Sequence, residues 1–176
     1  MHSSDEVLRE WFSDPSRWWE SNPAFDQSLR DGYREEVEAA LRGDLDEWGA
    51  TPRGALALVL LLDQFTRNIY RGSSRMYAGD AKALATSLAV IDRGEDELLS
   101  KAERQFLYMP LMHSEDRDIQ ERSLGKFADI GSGLEYARQH ADIVFRFGRF
   151  PHRNAILGRR STAEEIDFLQ QPGSSF

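Results

Sequence analysis

Apolar residues recur along this chain three or four apart, and residues that start and stop helices punctuate them at short intervals. Ser3 and Glu6 stand in capping-box spacing ahead of Val7, Leu8, Trp11 and Phe12, and Asp14-Pro15 closes that first segment. Asn22 and Pro23 supply an N-cap and a first-turn proline for a helix whose Phe25, Leu29, Tyr33, Val37 and Leu41 make one apolar stripe up to Gly43. Thr51-Pro52 repeats the start signal. The run from Ala55 to Leu62 is apolar all round, the pattern of a helix enclosed by its neighbours, and this central helix continues through Asp63 to Arg71 before Gly72.

The same signals predict a helix from about Ser74 to Gly94, and another opened by the Ser100 and Glu103 capping box that must end or kink near Pro110. Ser114 is the expected cap of a helix through Ile119 and Phe127 to Gly131, and a further helix runs from Leu134 to about Phe147. Ser161 and Glu164 give a final capping box for a short helix with Ile166, Phe168 and Leu169, and a short tail follows from about residue 171. The brief alternation between Phe145 and Phe150 sits too close to a turn to build a sheet. The fold class is therefore all-α without significant sheet, and short connections predict stacked antiparallel helical hairpins. A length of 176 residues fits one domain, 1–176.

Composition narrows the picture. No apolar run is long enough to cross a bilayer, so no membrane partner is expected. The acidic N-terminal sequence lacks the features of an export signal, and the expected location is cytoplasmic. Absence of cysteine excludes disulfides, thiolate nucleophiles and sulfur-ligated zinc, and no cofactor motif is present. A net charge of -8 argues against broad nucleic-acid binding. Yet Arg138, Arg146, Arg149, Arg153, Arg159 and Arg160 crowd a stretch that holds one acid, Asp142. Arginine grips carboxylate or phosphate through paired hydrogen bonds, so the stretch suggests anion recognition. The plainer alternative is that each arginine is matched by one of the chain's many acids.

Three polar clusters interrupt apolar stretches. Asp63, Arg67 and Arg71 fall four apart on one face of the central helix, with Gln64 and Asn68 on the adjoining row. His113, Glu115 and Asp116 sit where one helix gives way to the next, a setting for proton transfer or for acids that stabilise a helix start. Arg146, Arg149, His152 and Arg153 alternate with phenylalanines in a turn stiffened by Gly148 and Pro151, which suits either a structural clamp or an anion site.

Trp18-Trp19, Asn22-Pro23-Ala24-Phe25-Asp26, Thr51-Pro52-Arg53-Gly54-Ala55-Leu56-Ala57, Leu61-Leu62-Asp63-Gln64-Phe65 with Arg67 to Arg71, Tyr108-Met109-Pro110 with His113 to Asp116, and Arg146 to Asn154 together resemble the bacterial family known as domain of unknown function 924. The resemblance spans nearly the whole chain, including Gly158-Arg159, Ser161-Thr162 and Glu164-Glu165. It implies a tetratricopeptide-like stack of helical hairpins and carries no activity with it. Three functions then compete. The first is a pocket for a small anionic molecule or a peptide end, in which His113 and His152 are the candidate catalytic groups and Asp63, Gln64, Arg67, Asn68, Arg71, Glu115, Asp116, Arg146, Arg149 and Arg153 line the ligand. The second is an interaction scaffold that binds a protein or peptide segment without catalysis. The third is a metal-assisted hydrolase using His and carboxylate groups, although no zinc-site spacing is present.

Overall fold

The computed structural model of the chain describes residues 1–19 and 21–176, and among them there is no strand: the fold is all-α. Its contacts gather into two compact units, residues 1–110 and 111–176.

In the first unit, caps read from the sequence start the helices. Ser3 and Glu6 close a reciprocal capping box on α1 (Ser4–Phe12), and Asn22 accepts the N–H groups of Ala24 and Phe25 at the head of α2 (Pro23–Arg42). The Thr51 side chain accepts from Gly54 N–H at the start of α3 (Pro52–Val59). Every residue from Ala55 to Leu62 is at most 2% exposed, so the all-apolar run is the buried helix its pattern predicts. Trp11 packs its ring against Phe25, Phe65 and Phe106.

Beyond Val59 the helix widens into a π-helical segment, Leu60–Phe65, before resuming as α4 (Thr66–Ile69). The segment lies against a close backbone neighbour. A Cβ on Gly79 would stand 2.2 Å from the Leu62 carbonyl oxygen, an approach that only glycine permits. The Leu62 carbonyl also accepts the Thr66 hydroxyl at 2.7 Å. This approach explains a departure from the expected helix over 74–94. The chain makes a 3₁₀ turn at Ser74–Tyr77, passes Leu62 at Gly79, and only then enters α5 (Asp80–Asp92). In α6 (Lys101–Met112), Ser100 and Glu103 form the expected box, and the helix ends two residues beyond Pro110.

The second unit is built on a helical hairpin, α7 (Arg117–Ile130) and α8 (Leu134–Phe147), joined by Gly131-Ser132-Gly133. Gly131 and Gly133 both hold positive φ, and a Cβ on Gly133 would come within 3.0 Å of the Phe127 ring. A short helix, α9 (Ala163–Leu169), follows, and Phe168 packs with Phe147 against buried Ile143, Val144 and Phe150.

Two caps in this unit differ from the sequence reading. Asp116, not Ser114, caps α7: its Oδ1 accepts the N–H groups of Asp118 and Ile119, while the Ser114 hydroxyl oxygen accepts Asp116 N–H and so turns the chain into the cap. Thr162 and Glu165, rather than Ser161 and Glu164, form the box on α9. Burial decides that one-residue shift, because Glu165 is 2% exposed and engages further partners in the interior.

Leu61→Ala is expected to cost about 2–5 kcal/mol, since it removes a fully buried side chain from an enclosed helix, and a denaturant titration would measure it. Gly79→Ala should destabilise the protein as well, by forcing the π segment and the start of α5 apart.

Candidate functional site

The first polar cluster lies in the unit of residues 1–110 and is tied into the packing there. Arg67 reaches the Asp63 carboxylate at 3.0 Å and forks onto Asp80 at 2.8 and 3.0 Å, and its guanidinium lies over the Tyr77 ring. Gln64 donates to Asp63 at 2.6 Å. The expectation that Arg71 shares their face is corrected: α4 ends at Ile69, so Arg71 leaves the helical row and pairs with Asp26, donating from Nε at 2.6 Å and Nη2 at 3.1 Å. Asn68 donates to the same carboxylate at 2.7 Å. Burial pushes the Asp26 carboxyl upward, but Arg71 and Asn68 outweigh it and hold the group below its ordinary value. Asp26 and Asp63 are thus matched by side chains that tie α2, α4 and α5 together.

Within residues 111–176 the second and third clusters meet. Glu115 accepts both Nη groups of Arg159, at 2.7 and 2.9 Å, together with Phe150 N–H at 2.8 Å. Arg149 makes a forked pair with Glu165 at 2.6 and 2.8 Å, and Arg146 pairs with exposed Glu164 at 2.9 Å. Asp116 serves as the α7 cap. These contacts direct Glu115, Arg146 and Arg149 to partners in the fold, which is the plainer of the two outcomes their spacing allowed. Among the described residues no group of three or more His, Asp or Glu side chains is arranged to hold a metal ion, so the metal-assisted reading finds no donor set there.

The ion-pair frame fixes a small aromatic site. Phe150 is fully buried, and the 3₁₀ turn Pro151–Arg153 follows it directly, with both Pro151 and Arg153 buried. Gln120 on α7 donates to the carbonyls of Met112 and Ser114, at 2.8 and 2.6 Å, and Arg153 donates to the His113 carbonyl at 3.0 Å. Three successive carbonyls are thereby held, and the chain that carries His113 cannot swing. His113 then lies 6.0 Å, centroid to centroid, from His140 on α8. The Phe176 ring stacks on His140 at 3.6 Å and 17°, and stands edge-on to His152 at 6.0 Å and 78°. Phe150 backs both histidines at 5.6 Å. His113, His152 and Arg153, singled out from the sequence, therefore belong to one site.

His140 and Phe176 were not singled out. His140 falls on the buried face of α8 beside Ala137, Ala141 and Val144, where its spacing reads as core, and Phe176 stands beyond Pro172-Gly173 in what reads as a tail. Aromatic composition near the tail was the only signal available. His140 Nδ1 donates to the Tyr136 carbonyl at 2.7 Å, which leaves Nε2 as the lone-pair nitrogen of the neutral ring. Burial, reinforced by the neighbouring His113, pushes the His140 pKa down to about 3. Burial and adjacent Arg153 push His152 down to about 4. At neutral pH both rings are uncharged, so the site is a wall of neutral imidazoles.

The depressed histidine values set a pH dependence. The unfolded chain takes up protons near pH 6.5, while folded His140 resists until about 3, so stability is full above pH 6.5 and falls progressively as pH drops between those values. Monitoring unfolding free energy against pH should show this decline, and His140→Phe should flatten it. Glu165 acts in a lower window: hydrogen bonds from Arg149 hold its pKa down to about 2, against burial and with help from Thr162 N–H. Its contribution is present above the ordinary carboxylate range and is lost as pH falls toward about 2. Glu165→Gln should remove that acid-side loss, read from the same titration.

Comparison with known proteins adds a family but no activity. Among curated proteins none matches the chain. The solved structure of a protein of unknown function, ATU0120 from Agrobacterium tumefaciens, is 41% identical, superposes with a TM-score of 0.91, and the match covers 95% of this chain and 96% of that one. The family described as bacterial protein of unknown function, DUF924, matches residues 7–173. The all-helical fold, the sequence motifs and this match agree, and the chain belongs to the DUF924 family.

Proposed function

We propose that residues 111–176 form a recognition site for an aromatic side chain of a peptide segment, within a cytoplasmic, tetratricopeptide-like helical protein that performs no catalysis. One observation carries this reading: the Phe176 ring lies stacked on His140 and meets the His152 ring nearly at right angles, yet remains 52% exposed. A side chain that rests on a preformed aromatic surface while half open to solvent is an occupant that can leave. Flat, neutral imidazoles and a phenyl ring suit another ring by offset and edge-on contact, which contributes beyond simple area burial.

The reading takes the peptide segment and the absence of catalysis from the scaffold alternative, and replaces the arginine-held anion or peptide end with an aromatic side chain. Arg146, Arg149 and Arg159 already bind carboxylates of the fold, and an incoming anion would have to displace Glu164, Glu165 or Glu115 from them. Catalysis by His152, one of the two candidate catalytic histidines, is not favoured either: burial pushes its pKa down to about 4, whereas a general acid-base group works best with a pKa near the operating pH.

Phe176→Ala should free the site and raise affinity for a short peptide carrying one central phenylalanine by several-fold, because an intramolecular competitor has been removed. Isothermal titration calorimetry would measure this, and adding His140→Ala should abolish the binding. Absence of saturable binding in the Phe176→Ala protein would overturn the proposal.

A further inference from the structure

The buried imidazole of His152 has an unmatched nitrogen. His152 Nδ1 is buried and makes no hydrogen bond, although the His140 Nδ1 beside it is matched to a carbonyl. Poor positioning of the turn does not explain this. Arg153 N–H donates to the Phe150 carbonyl at 3.0 Å, Asn154 N–H donates to the Pro151 carbonyl at 3.0 Å, and Pro151 is buried, so the backbone that carries His152 is fixed on both sides. The ring that meets His152 from the tail is Phe176, nearly perpendicular to it at a centroid distance of 6.0 Å. A phenyl ring has neither a lone pair nor an N–H or O–H group with which to match the buried nitrogen.

Resting on the reading of this site as an aromatic-side-chain pocket, we infer that its preferred ligand is a tyrosine side chain, whose phenolic hydroxyl is read by His152 Nδ1. The chemistry discriminates between the aromatic residues. A neutral imidazole carries either N–H or a lone pair on Nδ1, and a phenol can accept from the first or donate to the second. An indole N–H can match only the lone-pair form, a phenyl ring can match neither, and the phenol alone meets both. The phenol, with an ordinary pKa near 10, stays protonated through the neutral range, so neither partner brings a charge into the buried contact. Phe176 then fills the shape of the site without meeting the polar requirement of His152 Nδ1. That is the behaviour of a weak resident that a better ligand displaces.

Leaving a buried nitrogen unmatched costs enough that the tyrosine probe should bind roughly ten- to a hundredfold more tightly than the phenylalanine probe. The test compares N-acetyl-tyrosinamide with N-acetyl-phenylalaninamide on the Phe176→Ala protein by calorimetry, and repeats the pair on Phe176→Ala with His152→Phe. Tighter binding of the tyrosine probe, lost in the double variant, is the expected result. Equal affinities would overturn this inference and leave the aromatic pocket standing, whereas saturable binding of neither probe would overturn the pocket and the inference together. A second measurement needs no added ligand and does not depend on His152→Phe folding. In Phe176→Tyr, the His152 Nδ1 nitrogen-15 resonance should move relative to the parent protein while His140 Nδ1 stays in place, and an unmoved His152 signal would count against the hydroxyl contact.

Discussion

A carboxylate taken out of water must be matched by a cation or by several N–H groups, and this chain buries several. Asp63 is fully buried, and Asp26 and Glu165 are 6% and 2% exposed. Each is answered by arginine: Asp63 by Arg67, Asp26 by Arg71, Glu165 by Arg149. Arg159 does the same for partly buried Glu115. The forked guanidinium satisfies two carboxylate oxygens at once, as Arg149 does for Glu165 and Arg159 for Glu115, and lysine cannot reproduce that geometry. Within the run of arginines between residues 138 and 160, Arg149 and Arg159 thus have a structural account in this matching. Removing one partner of such a pair leaves the other charged and buried, which is why these pairs constrain local geometry more than their net contribution to stability would suggest.

The π-helical segment follows a similar logic in the backbone. A one-residue widening at Leu60–Phe65 lets the enclosed helix keep Leu60, Leu61 and Leu62 inside while presenting Asp63 to Arg67. The Leu62 carbonyl, pressed by the backbone of Gly79, takes the Thr66 hydroxyl as a partner. Such widenings are frequent at functional sites, yet here the polar groups beside it are engaged with one another, so its visible role is to reconcile an apolar helix with a buried aspartate.

Local chemistry was legible in the sequence, and tertiary choice was not. Ser3 with Glu6, Asn22 with Pro23, Thr51 with Pro52 and Ser100 with Glu103 announced their helices because a cap is a contact within four residues. At residues 161–165 two overlapping boxes satisfied the same local rule, and only the burial of Glu165 against Arg149 and Asn154 selects Thr162. Arg71 illustrates the opposite error. Spacing of four puts it in line with Asp63 and Arg67 only while the helix lasts, and no residue near Ile69 signals the early stop. His113, His152 and Arg153 could be named because they interrupt turns. His140 could not, since a histidine among alanines on a buried helical face looks like packing until its stacked neighbour is seen.

That neighbour changes what the histidines mean. Buried imidazoles with strongly lowered pKa values are often read as tuned for proton transfer. Here burial is the leading cause for both His140 and His152, and the cationic Arg153 lowers both further, so the environment suppresses charge and does not balance it near neutrality. A suppressed charge has a use in recognition. An uncharged imidazole presents a flat face and an in-plane nitrogen without the hydration shell of an imidazolium, so a ring can stack on one histidine and meet the nitrogen of the next at modest desolvation cost. The ion pairs of Glu115 and Glu165 hold Phe150 N–H and the α9 cap, and Arg153 lies over the Phe150 ring. On the proposed reading, pairing Arg149 and Arg159 with carboxylates leaves Arg153, over the Phe150 ring, as a cation beside the neutral imidazoles that would receive an aromatic side chain.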